Sequence, residues 1–269
     1  MIYTLIIIIL LLGLAALAYM RFEASFVELK RIRFSKKNNC LKVLHLSDIH
    51  IPFLRVPVKR VKKLISMENP DIILLTGDYI IKPAQADAFF NFLDEIANGS
   101  KMYLCFGNHD HKAFIRNPKE IVSFENEIQK RGITILSNNS EVFIKGTRKF
   151  NIIGIDDIKY NHHDIGKALA SRSKECSIDI AIAHNPDTVL EMPANAVDYL
   201  FCGHFHGGQI WVPFNIEFML LRKDKLPKKG IRRGFHKING INVYINRGLG
   251  NVSVPLRFFS RPEITVYYI

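Results

Sequence analysis

The chain has 269 residues, of which 48% are hydrophobic and 23% charged, so it can fold around a core and is not intrinsically disordered. Its formal net charge of +12 predicts an anionic partner: a nucleic acid, a phosphorylated metabolite or an anionic membrane surface. Its four cysteines show no CxxC spacing, which favours free, buried thiols in a reducing compartment.

The N-terminal run 1–20 has no charged side chain and is long enough to cross a membrane. No Lys or Arg precedes it, so an uncleaved transmembrane helix is favoured over a signal peptide. A basic juxtamembrane segment, 21–38, follows, and its charge predicts a cytoplasmic catalytic domain. The rule weakens before a large domain, which leaves an extracytoplasmic orientation open. This division predicts that a chain starting near Phe34 stays soluble and active.

Beyond the anchor, short apolar runs rich in β-branched residues alternate with amphipathic segments. This pattern predicts an α/β fold in which helices cover both faces of the sheet. The expected helices lie at 56–67, 87–97, 120–131 and 165–173. The expected strands lie at 41–50, 71–78, 101–110, 132–136, 142–145, 150–155, 177–184, 197–204, 241–246 and 263–269.

Polar residues follow five of these strands. Because ligands bind at the carboxyl ends of strands in such sheets, we expect these side chains to meet at one edge. Taken singly, each of these polar residues has an ordinary structural explanation as part of a strand end, a turn or the core. Several buried polar groups are costly unless paired or metal-bound, so one shared metal cluster explains them together. The set comprises Asp48, His50, Asp78, Asn108, His184, His204 and His206, with glycines at the turns.

The motifs "DIH", "GDY", "GNHD" and "GHFH", in this order, resemble those of the calcineurin-like metallophosphoesterase superfamily. "GHFHGGQIW", "NRGLGN" and the apolar N-terminus narrow the resemblance to a membrane-associated branch with UDP-2,3-diacylglucosamine pyrophosphatase-like enzymes. It covers 41–269 and implies an α/β two-sheet βαβ sandwich flanked by helices, here a domain at 39–269. Phe205 stands where relatives often carry Thr or Ser, which predicts a changed pocket shape with metal binding intact.

The resemblance also implies the ligands of two divalent metal ions, such as Mn, Fe or Zn. Asp78 would bridge them, and Cys202 would be a core residue despite its place near the histidines. One metal would be held by Asp48, His50, Asp78 and His206, and the other by Asp78, Asn108, His184 and His204.

The same resemblance assigns the catalytic roles. Water activated by the metals would attack the phosphoryl group. His109 would contact the phosphate and protonate the leaving group, with Asp110 as its orienting carboxylate. Asn108, His109 and Arg247 would bind the substrate.

The predicted function is hydrolysis of a phosphodiester or pyrophosphate bond, with a lipid-linked nucleotide such as UDP-2,3-diacylglucosamine as one candidate substrate. Alternatives are a phosphoprotein or nucleotide phosphatase, or a non-catalytic binding relative. Every expected ligand position is present, which favours an enzyme. The expected partners are a phosphorylated small molecule or lipid and the membrane. No specific nucleic-acid binding is expected, since no recognised RNA-binding motif occurs.

The segment 213–237 combines apolar and basic residues just after the "GHFH" motif. One interpretation is a surface loop that covers the sheet. The other is a contact with the membrane interface, in which its cations meet anionic head groups at the rim of the metal site.

Overall fold

Two six-stranded sheets form the body of the protein, as a computed structural model shows. It describes residues 1–35, 40–210, 218–219 and 222–269. The helices are α1 (Ile2–Ser25), α2 (Val58–Glu68), α3 (Ala86–Ile96), α4 (Asn108–Phe114), α5 (Lys119–Lys130), α6 (Ile165–Ala170) and α7 (Lys225–Lys228). Short 3-10 helices lie at Ile51–Phe53, Pro83–Gln85 and Pro186–Leu190.

The first sheet has the order β1-β12-β2-β3-β4-β5. Neighbours pair in parallel except β12 with β2, which are antiparallel. Its strands are β1 (Glu28–Arg33), β2 (Lys42–Ser47), β3 (Ile72–Thr76), β4 (Lys101–Cys105), β5 (Thr134–Ile135) and β12 (Glu263–Tyr268).

The second sheet has the order β10-β11-β9-β8-β7-β6. Its central strands β11, β9, β8 and β7 are parallel, and the two edge strands are antiparallel to their neighbours. The strands are β6 (Asn139–Lys145), β7 (Arg148–Ile155), β8 (Ile178–Ala183), β9 (Tyr199–Cys202), β10 (Gly234–Ile238) and β11 (Ile241–Ile245).

The core between the sheets joins apolar side chains from both. Phe201 of β9 stacks on Tyr267 of β12 with ring centroids 4.0 Å apart. On the outer face of the first sheet, α2 and α3 bury residues at helical spacing, such as Val61, Leu64 and Ile65. Burial of each such side chain contributes about 1.5–3 kcal/mol, so the packing holds the strand ends in fixed positions. The fold is the predicted two-sheet α/β sandwich.

The N-terminal part of the chain differs from the expected division. Helix α1 continues past residue 20 to Ser25, and its apolar stretch is exposed and long enough to be a candidate membrane span. Strand β1 lies within the segment 21–38 and pairs in parallel with β12. That segment therefore includes an edge strand of the first sheet, and a chain starting at Phe34 would lack it.

Two further elements were not expected. The run "GNHD" ends no strand: β4 stops at Cys105, and Asn108 is the first residue of α4. Strand β10 lies partly inside 213–237, where a loop was predicted. Residues 213–217 and 220–221 of that segment lie outside the described residues.

Candidate metal centre

The predicted ligands converge at the carboxyl ends of five strands. Asp48 and His50 follow β2, Asp78 follows β3, and Asn108 opens α4 after β4. The remaining histidines follow β8 and β9, and all seven side chains are buried. They form two groups that could each hold a metal ion, namely Asp48, His50 and His206, and Asp78, His184 and His204.

In the second group, hydrogen-bond partners determine which nitrogen carries a proton. His184 Nδ1 lies 2.9 Å from the carbonyl oxygen of Thr76, so it donates and leaves Nε2 as a lone pair. That Nε2 lies 3.0 Å from Nδ1 of His204 and 3.1 Å from Oδ2 of Asp78. His204 Nε2 lies 3.3 Å from Asp224, to which it can donate, so its Nδ1 is also a lone pair. Three acceptors that face one another need a cation, or a proton on His184 Nε2, between them.

Electrostatics supports the same conclusion. Burial lowers the pKa of His184, but the carboxylate of Asp78 outweighs it and raises the pKa to about 10. The space between these groups therefore attracts positive charge. Burial lowers the pKa of His50 to about 3 and that of His204 to about 4, which keeps both imidazoles neutral, as metal ligands must be.

Asp78 lies between the two groups. Its Oδ1 accepts a hydrogen bond of 2.8 Å from the backbone N–H of His109. Its Oδ2 lies 3.1 Å from Nε2 of His184 and 3.6 Å from Nε2 of His50, which belongs to the first group. One carboxylate oxygen thus faces a ligand atom of each group, as a bridging ligand requires.

Among the described residues, four buried atoms of the predicted ligands make no hydrogen bond: both ring nitrogens of His50, Oδ1 of Asn108, and Nε2 of His206, which lies 3.2 Å from Oδ1 of Asp48. Leaving such atoms unsatisfied costs roughly 1–3 kcal/mol each. Imidazole nitrogens with amide and carboxylate oxygens are a donor set for Mn, Fe or Zn. The residues therefore fit a pair of divalent cations, although each assignment as a ligand stays a prediction.

The turns that carry these residues are strained and tightly packed. Asp48, His50, Asp78, His204 and His206 all have positive φ, between 41° and 72°. Such conformations cost about 1–3 kcal/mol each and concentrate at functional sites. A Cβ on Gly203 would lie 1.8 Å from Ser47 Oγ and 2.1 Å from Asp48 Oδ2. Glycine is therefore required there for the "GHFH" loop to approach β2.

Comparison with known proteins establishes the family. The sequence profile described as Calcineurin-like phosphoesterase matches residues 41–208, more than half of the chain. The chain belongs to this family. "Uncharacterized metallophosphoesterase YkoQ" of Bacillus subtilis (strain 168) is 32% identical over 232 residues, which cover 85% of this chain and 83% of that protein. The phosphodiesterase YaeI of Escherichia coli (strain K12) is 30% identical over 243 residues, 88% of this chain and 85% of YaeI.

A more distant relative is the UDP-2,3-diacylglucosamine pyrophosphatase LpxG of Chlamydia muridarum. It is 24% identical over 277 residues, which cover 84% of this chain and 82% of LpxG. The predicted resemblance is confirmed, and the protein is a phosphoester hydrolase of the calcineurin-like type.

The phosphoesterase has an open cavity of about 470 Å³ beside the two groups. His109 lines it, as do Asp78 and Asn108. The ring centroids of His109 and His50 lie 5.1 Å apart. Nδ1 of His109 is buried and has no hydrogen-bond partner among the described residues. Four cationic side chains also line the cavity: Lys159, Arg222, Lys223 and Lys225.

The contacts of Asp110 differ from those expected of a carboxylate that orients His109, and its catalytic role stays a prediction. Its buried carboxylate accepts hydrogen bonds of 2.8–3.1 Å from four backbone N–H groups, those of Asp78, Tyr79, Ile80 and Gly107. Asp110 therefore fixes the turn that carries Asp78 to the start of α4.

Arg247 is also placed differently from the prediction, since it does not line the described cavity. Its guanidinium is buried and bonds to Glu263 of β12 at 2.6 Å and to Glu28 of β1. Its two carboxylate partners hold it in a position that links the sheet edge to the "NRGLGN" turn. These contacts give Arg247 a place in the fold, and its role in substrate binding stays a prediction.

Two residues near the site were not predicted. Asp224 bonds to His204, and such carboxylate partners fix the orientation of metal-binding histidines. Burial raises the pKa of Asp224, but the bond to His204 lowers it more, and the carboxyl is ionised. Arg257 is fully buried and donates to carbonyl oxygens of the turn 247–250. Neither lies in a motif, so the sequence offered no signal for them.

The structure bears on part of what was expected of Phe205 and of the segment 213–237. Phe205 is fully buried against Phe218, 6.1 Å away, so its side chain does not shape the described cavity. Cys202 is buried in the core, as predicted. Of the apolar residues in 213–237, Met219 is exposed, while Phe214, Ile216, Leu220 and Leu221 lie outside the described residues.

Proposed function

We propose that the protein is a phosphohydrolase that uses two divalent metal ions to cleave a phosphodiester or pyrophosphate bond. The observation that carries this proposal is the position of Asp78. Its Oδ2 lies within 3.1 Å of His184 Nε2 and 3.6 Å of His50 Nε2, so one oxygen serves both groups. Divalent cations held there would supply Lewis-acid stabilisation of the phosphoryl group and make water more acidic.

The chain's own residues complete the chemistry. His109 lines the cavity beside Asn108, where it can reach a phosphoryl oxygen or the departing oxygen of a bound ester. Asp110 holds the turn between Asp78 and His109, and Asp224 orients His204. These contacts preorganise the site before the substrate enters.

The cavity has cationic groups that could contact a substrate with more than one anionic group. Lys159, Arg222, Lys223 and Lys225 line it together with the carboxylates of Asp187, Glu191 and Asp224, and the four cations could pair with a pyrophosphate or a nucleotide diester. The relatives named phosphodiesterase and UDP-2,3-diacylglucosamine pyrophosphatase agree with that class. Helix α1 is proposed as an uncleaved membrane anchor, with the catalytic domain on the cytoplasmic side.

The test is a substrate screen with the purified full chain in detergent, loaded in turn with Mn, Fe or Zn. The substrates are bis-p-nitrophenyl phosphate, p-nitrophenyl phosphate and UDP-2,3-diacylglucosamine. We expect diester or pyrophosphate hydrolysis that exceeds monoester hydrolysis. Preferred turnover of the monoester would contradict the substrate class.

Asp78→Asn tests the metal assignment. This variant should lower the occupancy of both metals in elemental analysis and abolish turnover, because the bridging charge is lost. Asp87→Asn, at an exposed position of α3, is the matched control and should keep both bound metals and normal turnover. Two bound metals with normal turnover in Asp78→Asn would reject the bridging role.

A further inference from the structure

The C-terminal end of α1 is docked on the catalytic domain through the loop 252–260. The ring of Tyr19 contacts that of Phe258 edge-on, with centroids 6.1 Å apart. The carbonyl oxygen of Met20 accepts a bond of 3.1 Å from the backbone N–H of Arg257. Glu23 is buried and accepts from the backbone N–H groups of Phe259 and Ser260. These contacts fix the direction in which α1 leaves the domain.

The same loop borders the cavity. Val252 lines it, and Gln209 donates to the carbonyl oxygens of Val252 and Val254 at 3.0 and 2.9 Å. Ser260 Oγ donates to the carbonyl oxygen of His206 at 2.6 Å. The loop is thus a rigid connection between the end of α1 and the rim of the site.

The position of α1 relative to a membrane follows from its charges. The apolar run ends at Met20 and the first charged side chain is Arg21. The run of residues 2–20 spans about 28 Å, close to the thickness of a hydrocarbon core. A membrane crossed by α1 therefore has its surface near Arg21, within one helical turn of the loop contacts at Tyr19 and Glu23.

The loop and the end of α1 expose aromatic and aliphatic side chains next to arginines. Phe259 is 57% exposed, Val254 43%, Phe22 58% and Phe26 48%. Arg261 lies over the ring of Phe26, with 4.3 Å between its Cζ and the ring centroid. Aromatic rings beside arginines are typical of the membrane–water interface.

We propose that the exposed side chains of Val254 and Phe259 lie in the bilayer interface and hold the mouth of the cavity at the membrane surface. The phosphoester that this enzyme cleaves is therefore borne by a lipid and reaches the site without leaving the membrane. The inference rests on the proposed hydrolase function and on α1 as the anchor. It adds the face of the domain by which a lipid-borne substrate enters the site.

The first experiment locates the loop. The full chain carrying Cys176→Ser, which removes the half-buried thiol, is reconstituted in vesicles of phosphatidylcholine and phosphatidylglycerol. Val254→Cys and Phe259→Cys are each labelled with an environment-sensitive fluorophore. Ile144→Cys, on strand β6 with 58% exposure, is the matched control.

We expect a nitroxide on the lipid chains to quench the probes at 254 and 259, and aqueous iodide to quench the probe at 144. Iodide quenching at all three positions, without lipid quenching, would overturn the proposal. The proposal would also be overturned if the probes at 254 and 259 were protected from iodide only at high protein density in the vesicles. A second copy of the chain, and not the bilayer, would then cover these positions.

The second experiment compares two diesters with the same leaving group, hexadecyl p-nitrophenyl phosphate in vesicles and soluble bis-p-nitrophenyl phosphate. Phe259→Ser with Val254→Ser should lower kcat/KM about tenfold for the vesicle-borne diester and leave the soluble one unchanged. If the double variant changed kcat/KM by the same factor on both diesters, the interfacial role would be rejected. A wild-type chain that cleaves neither diester would instead reject the proposed function, whatever the quenching shows.

Discussion

The carboxylate of Glu23, near the end of the candidate membrane helix, accepts a hydrogen bond of 2.7 Å from the backbone N–H of Ser260. The hydroxyl of Ser260 in turn donates to the carbonyl oxygen of His206, a predicted metal ligand. Two hydrogen bonds therefore separate the helix from the site. The candidate membrane helix and the catalytic domain share structure, so the place where the chain can be shortened is restricted.

Truncation at two points tests this coupling. A chain starting at Phe34 loses β1, Glu23 and Glu28, which leaves Arg247 with one carboxylate partner and the edge of β12 unpaired. We expect it to bind less metal and to lose most activity on bis-p-nitrophenyl phosphate. A chain starting at Arg21 keeps all three and should retain both properties. Equal activity of the two chains would show that β1 is dispensable and that the catalytic domain begins after residue 33.

His109→Ala separates catalysis from metal binding. His109 lines the cavity, and the predicted ligands do not include it. The variant should keep both metals in elemental analysis, while kcat falls by roughly 10²–10⁴ if the imidazole protonates the leaving group. The loss should shrink for diesters with more acidic leaving groups. A variant that loses metal would instead assign His109 to the coordination sphere.

Much of the site followed from the sequence because its residues come directly after buried strands. Asp48, Asp78 and His184 each follow a strand of the parallel part of a sheet, and such strand ends meet at one edge. Strand β1, "ELKRIR", was missed because an edge strand is only partly buried and keeps its charged side chains. Its composition is therefore that of a basic linker.

Other features depend on contacts between distant parts of the chain. Asp224 meets His204 across 20 residues and Arg247 meets Glu28 across 219. No local pattern records such pairs. Asp110 shows a related limit, because its place next to His109 suggested a catalytic pair. The start of α4 directs its carboxylate instead towards the turn at Asp78.

Asp110→Asn should destabilise the fold more than a change at the surface. An amide can accept at one oxygen only, and its NH₂ group would face backbone N–H donors, which leaves buried groups unsatisfied at a cost of about 2–4 kcal/mol. We expect a lower midpoint of denaturation and a loss of activity that is the same for all leaving groups. A loss that depends on the leaving group, with unchanged stability, would return Asp110 to the catalytic role first predicted.

Asp224→Asn tests the orientation of His204. The carboxylate of Asp224 accepts from Nε2 of His204 and keeps the lone pair of Nδ1 directed at Asp78 and His184. Loss of such a partner typically lowers metal affinity about 10–100-fold.

The effect should fall on the metal held by Asp78, His184 and His204, while the metal held by Asp48, His50 and His206 stays bound. Competition with a chelator, followed by counting metals per chain, would show one site weakened. Glu191→Gln, at another carboxylate that lines the same cavity and bonds to His163 at 2.9 Å, is the control for a general loss of negative charge. Equal weakening in both variants would mean that charge in the cavity, rather than the bond to His204, sets the affinity.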